Sequence, residues 1–145
     1  MAKLSKKPLV DRSILETLGE TRLKEAEVLR DAGHYCGAIY LGGYAVECYL
    51  KVAICKAMDW DELRETFMSH DLKTLLVHSG LERKIRDVPG VQRSFKQISE
   101  VWVMETRKAI RYQDTATFKF EDARKFLNGV ADEKVGVVPW VKSQI

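Results

Sequence analysis

The stretch from His34 to Met58 constrains this chain most. Ile39, Gly43, Val46, Leu50, Ala53 and Ala57 recur at alternating steps of four and three, the spacing that lines up one face of an α-helix. The other faces of the same stretch carry Tyr40, Leu41, Tyr44, Tyr49, Val52 and Ile54. A helix apolar on most sides belongs at the centre of a packed structure, so the flanking segments must surround it. Gly42 and Gly43 disfavour the helix by about 1 kcal/mol each. Their presence predicts a close approach at this point, with a neighbouring backbone pressed against the helix.

The flanking sequence supplies further helices. Strand signals are nearly absent, with no sustained alternation of apolar and polar residues and no Asn-Gly or Asp-Gly hairpin turn between two strand-like runs. A first helix is expected from Asp11, as N-cap, to Ala32, with Leu15, Leu18, Leu23, Ala26 and Leu29 as contacts, Gly19 as an interruption and Gly33 as the stop. After a connection through Asp59–Met68, Ser69 or His70 caps a short helix with Leu72, Leu75 and Leu76 on its apolar face, ended by Gly80. Residues 81–90 read as a charged linker. Val91, Phe95, Ile98, Trp102 and Ala109 predict a long helix over 91–111, which turns Glu105 inward and sets Arg107 and Arg111 on one face. A loop, 112–119, leads to a last helix from Phe120 with Ala123, Phe126, Leu127 and Val130 inside. Gly136 and Pro139 make its end either kinked or a separate short helix.

These segments describe an all-α fold: an antiparallel up-and-down four-helix bundle with an additional short helix. The chain of 145 residues, 46% hydrophobic, has material for one core. Residues 1–10 read as an N-terminal extension and 11–145 as a single domain. A net charge of +3 is too modest to drive tight nucleic-acid binding by itself. Cys36, Cys48 and Cys55 fall in one helix at spacings that match no zinc pattern and hold the thiols too far apart for a disulfide. They read as buried small residues in a reducing compartment. Lys3, Lys6 and Lys7 flank no apolar signal core, and the uncharged run Ala32–Val46 is short of a bilayer span, so a soluble cytoplasmic protein is expected, with no membrane association. No phosphate-cradling glycine loop, metal-ligand cluster or nucleophile motif is found, and no cofactor or metal is expected.

Residues 26–51, AEVLRDAGHYCGAIYLGGYAVECYLK, resemble the first helical hairpin of HEPN domains, most specifically in the block Ala45-Val46-Glu47-Cys48-Tyr49-Leu50-Lys51. His70-Asp71-Leu72 followed by Leu75 is similar to that family's His-x-Leu-x-x-Leu element, and Arg111-Tyr112 resembles the Arg-Tyr pair closing its next long helix. The resemblance covers most of residues 26–127. It implies a four- or five-helix bundle, usually a homodimer, often encoded beside a nucleotidyltransferase in prokaryotic toxin-antitoxin modules. Many members are ribonucleases that use an Arg followed four to six residues later by a His; others bind nucleotides, RNA or partner proteins without cleaving.

Here Arg107 is followed by Lys108, Ala109, Ile110, Arg111, Tyr112, Gln113 and Asp114, with no histidine. A tyrosine, with a pKa near ~10, is a poor acid or base for a 2′-hydroxyl. No catalytic residue is therefore assigned. Arg64 and His70 match the spacing, but outside the family's position. Glu47 and Lys51, one turn apart with Glu first, form a structural polar pair or part of a polar pocket with Glu105 and Arg111. His70 is most simply the residue that starts its helix. The aromatic set Tyr40, Tyr44 and Tyr49 reads as core and dimer surface. The densest basic stretch combines Arg107, Lys108 and Arg111 with Arg83, Lys84, Arg86, Arg93 and Lys96; it is either a solvated surface or a phosphate contact, with Tyr112 available to stack on a base. The expectation is a dimeric nucleotide- or RNA-binding protein that uses Lys51, His70, Arg107, Arg111 and Tyr112. The alternatives are a metal-independent ribonuclease toxin and an interaction subunit for a separate nucleotidyltransferase.

Overall fold

The computed structural model describes residues 10–104 and 109–145. Within them the chain forms seven α-helices: α1 (Arg12–Asp31), α2 (Tyr35–Ala57), α3 (Leu72–His78), α4 (Glu82–Ile85), α5 (Pro89–Val101), α6 (Phe120–Ala131) and α7 (Val137–Gln144). Two short strands, β1 (Val10–Asp11) and β2 (Glu62–Leu63), pair antiparallel with Val10 opposite Leu63. Two residues are too few to show alternation, which is why the sequence carries no trace of this ladder.

The all-round apolarity of α2 has its structural consequence: α2 is the hub, with α1 lying along it and α3, α6 and α7 packed on its other sides. Ile39, Val46, Leu50 and Ile54 of α2 share one core with Leu75, Ile98, Phe126 and Val141. By length and composition α2 is also apolar enough to cross a membrane, but 83% of its apolar window is buried inside the protein. The Gly42-Gly43 pair admits side chains, not a backbone. A Cβ at Gly42 would meet Leu127 and Phe126, and one at Gly43 would meet the indole of Trp102. Trp102 is fixed there by its Nε1–H, which donates to the Tyr40 carbonyl at 2.9 Å. Gly19 does not interrupt α1; its missing side chain makes room for the ring of Tyr49.

Several boundaries differ from the sequence reading. Asp71, not Ser69 or His70, caps α3, accepting from the Thr74 N–H at 3.3 Å, while Ser69 Oγ accepts from the Asp71 N–H. The charged segment 81–90 is not a linker: it contains α4, and Pro89, whose fixed φ suits a first helical position, starts α5. The helix expected over 91–111 stops at Val101, because the anchored Trp102 leaves helical geometry at φ −88°, ψ 79°. The Ile110 N–H donates to the Val103 carbonyl at 2.7 Å, and Arg111 lies in a 3-10 turn, Ile110–Tyr112. Arg111 is thus not on the helix that was to carry Arg107; Glu105, Arg107 and Lys108 lie outside the described residues. Beyond α6, Asp132 accepts from the N–H groups of Lys134 and Val135 at 2.9 and 3.0 Å, and this turn makes α7 a separate helix.

Candidate functional site

The polar feature of the otherwise apolar hub is the pair Glu47 and Lys51, both buried. Lys51 Nζ donates to Glu47 Oε2 at 2.9 Å, and the other carboxylate oxygen, Oε1, lies 2.7 Å from His70 Nδ1. A carboxylate only accepts, so this contact places the proton on Nδ1 and leaves Nε2 as the ring nitrogen not engaged by Glu47. The Glu47 side chain is 5% exposed and that of His70 43%. The imidazole is therefore the solvent-facing end of a chain that starts at a buried ammonium. Asp71, by capping α3, fixes the residue next to His70 and so holds the ring over α2.

Tyr40, Tyr44, Glu47 and Lys51 follow one another at four, three and four residues along α2 and share a face. The Tyr44 ring stands edge-on to His70, with centroids 6.3 Å apart, and to Trp102, at 5.2 Å. Its hydroxyl is 3.5 Å from that of Tyr40. Burial, then the Tyr40 hydroxyl and the charge of Glu47, push the Tyr44 phenol well above the usual tyrosine range, and the positive charge of Arg111 opposes them. Arg111 itself stacks its guanidinium over the ring of Tyr112 at 5.1 Å, and Tyr112 is 71% exposed. Cys36 at the start of α2 holds this turn, its Sγ lying 4.0 Å from the Ile110 carbonyl.

Of the residues singled out from the sequence, Glu47, Lys51 and His70 form one connected cluster, and Arg111 and Tyr112 form a second. Lys51 is committed to Glu47 below the surface. Arg64 and His70 take different partners, Arg64 packing over Trp60 at 4.5 Å. Arg107 lies outside the described residues. Sequence reasoning missed two members of the cluster's wall, Tyr44 as a neighbour of His70 and Trp102. The only local signal for Tyr44 was its place one turn before Glu47. Burial raises all three thiols above the usual cysteine range, Cys48 to about 11. Among the described residues no group of three or more His, Cys, Asp or Glu is placed to hold a metal ion.

No family model matches the chain, and neither a curated protein nor a solved structure is significantly similar to it.

Proposed function

We propose that this protein is a HEPN-type antiparallel bundle that dimerises and binds a nucleotide or a short RNA segment, as a component of a prokaryotic toxin-antitoxin or nucleotidyltransferase-associated system. The observation that carries the reading is the chain Lys51–Glu47–His70, which holds a half-exposed imidazole in one orientation; a second polar group is Arg111, stacked on the exposed ring of Tyr112. Arg111 offers forked donors to phosphate oxygens, Tyr112 offers a face to a base, and His70 Nε2 is a further polar group that a ligand could meet. The family and the dimer in this reading rest on the HEPN resemblance, which covers most of residues 26–127. Binding without cleavage is favoured by the absence of a histidine after Arg107 at the family's spacing.

The same contact favours a second reading, a metal-independent ribonuclease. A histidine oriented by a buried carboxylate is the arrangement that general acid-base catalysis uses, and in this reading Arg111 would be the group that stabilises charge on the phosphorane. One experiment separates the two: incubation with a mixed RNA pool, with and without divalent metal, using the native protein, His70→Ala and Arg111→Ala. A salt-dependent gel shift of intact RNA is expected, weakened in Arg111→Ala with a salt slope smaller by about one phosphate contact. Cleavage lost in His70→Ala would establish the enzyme instead. Neither shift nor cleavage would reject both readings and leave a protein-interaction subunit.

A further inference from the structure

The connection from α2 to α3 carries a row of flat side chains. The guanidinium of Arg64 lies 4.5 Å over the Trp60 ring, the Trp60 and Phe67 rings are 5.4 Å apart, and Phe67 stands edge-on to His78 of α3 at 5.0 Å. Leu63 of β2 ties this connection to the core, whereas Trp60, Phe67 and His78 stay half-exposed. Three apolar neighbours of the row in sequence are open to solvent: Met58 at 45%, Met68 at 44% and Val77 at 53% exposed. Single exposed apolar residues are ordinary, but several gathered about touching rings make an interaction patch. The charge beside it is acidic. Asp59, Asp61, Glu62 and Glu65 fall within seven residues, all exposed, and Arg64 is the one cation between Met58 and Met68; Arg12 approaches Asp61 from α1 at 3.9 Å. Asp59, Asp61 and Glu62 line one recess of about 520 Å3 together with the Trp60 indole.

We propose that this patch docks a basic amphipathic segment of a partner protein, whose apolar side chains cover Trp60, Phe67, Met68 and Val77 and whose Lys or Arg side chains meet Asp59, Asp61 and Glu62. Charge and exposed apolar surface select this occupant jointly. The carboxylates repel phosphate, which disfavours nucleic acid and anionic lipid surfaces, and they repel an acidic protein segment equally. A polyamine meets the carboxylates but leaves the apolar surface in water, and among the described residues the carboxylates are not placed to share a metal ion. A protein segment that carries both cations and apolar groups satisfies both demands. The flexible thioethers of Met58 and Met68 adapt to aliphatic or aromatic partners. The patch shares no residue with the chain Lys51–Glu47–His70, so the inference stands whether or not that cluster binds a nucleotide.

The test pans a random dodecapeptide library displayed on phage against the intact protein, then measures synthetic copies of the enriched peptides by fluorescence anisotropy. Enriched peptides should combine Lys or Arg with Leu, Ile or Phe. Two variants divide the patch. Asp59→Asn/Asp61→Asn removes charge, and Asn tolerates the positive φ of 55° at position 59; Met68→Ser/Val77→Ser removes apolar surface at two exposed positions. With their folds checked by circular dichroism, each should bind the peptides roughly tenfold more weakly. Oxidation by dilute hydrogen peroxide locates the contact: bound peptide should slow sulfoxide formation at Met58 and Met68, read by mass spectrometry, and leave the buried Met104 unchanged. Five outcomes would overturn the proposal: no enrichment, enriched peptides that lack either cations or apolar residues, unchanged affinity for either folded variant, no protection of Met58 and Met68, or displacement of the peptide by an equal concentration of spermidine or short single-stranded RNA.

Discussion

Glu47 is the residue on which most depends, because both its oxygens are engaged and both partners are titratable. Removing it as Glu47→Ala strands the buried Lys51 ammonium, and breaking a buried pair in this way typically destabilises by about 3–5 kcal/mol. Replacing both partners, as Glu47→Leu/Lys51→Met, leaves no unpaired charge. We expect the double variant to recover most of that loss in urea unfolding while His70, now without its carboxylate, no longer supports the Arg111-dependent RNA shift. If the double variant is as unstable as the single, the pair contributes through packing and not through charge. The Glu47–Lys51 half of this arrangement was legible in the sequence because helical geometry turns a spacing of four into a contact. The His70 half was not, since it joins residues 23 apart through the turn between α2 and α3. Gly43 makes the same point. Its conflict with helix propensity signalled a close approach, but only the fold identifies the neighbour as Trp102. Gly43→Ala should cost about 1–3 kcal/mol, as overpacking does, unless the indole finds another seat and releases its bond to Tyr40.

Among the elements, the ends were harder to read than the helices themselves. The three-four seam through Val91, Phe95, Ile98 and Trp102 continues to Ala109 in sequence, yet the helix stops where Trp102 turns into α2. Periodicity reports which residues face inward, and a buried residue beyond the end of the helix, such as Ala109, satisfies the same pattern. Gly136 and Pro139 left the end of the chain open between a kink and a break. The break is set by Asp132, whose carboxylate is held below the usual aspartate range by the backbone N–H groups of Val135 and then Lys134. A lowered folded pKa means that the deprotonated form favours the folded state. This contribution is complete above the ordinary aspartate pKa and is lost as pH falls through the folded value. Asp132→Ala should therefore melt below the native protein at pH 7, with the difference shrinking once pH drops under about 4. Thermal scans at several pH values check this; a difference that persists undiminished in acid would place the effect of Asp132 elsewhere than in its charged hydrogen bonds.

At the scale of the whole molecule, the sequence yields an all-helical protein built around α2, because an element with no polar face leaves few ways to arrange its neighbours. It says less about how the last helix joins that arrangement. Val137, Val138 and Val141 of α7 are buried, and α7 packs on α2, α5 and α6. Lys142 adds a tie to the first helix, with its Nζ 3.4 Å from Glu20 and 5.0 Å from the ring of Tyr49 on the hub. Burial of a valine side chain contributes roughly 1.5–3 kcal/mol, so the three together approach the whole stability of a small domain, about 5–15 kcal/mol. A chain ending at Asp132 is thus expected to lose its cooperative thermal transition and to bind a hydrophobic dye while keeping much of its helical circular dichroism. The prediction depends on α7 completing a core that α2 opens, since Val141 and Ile54 belong to the same cluster. Were the shortened chain to melt cooperatively near the native temperature, the remaining six helices would form a self-sufficient core and α7 would be an appendage whose valines serve another surface.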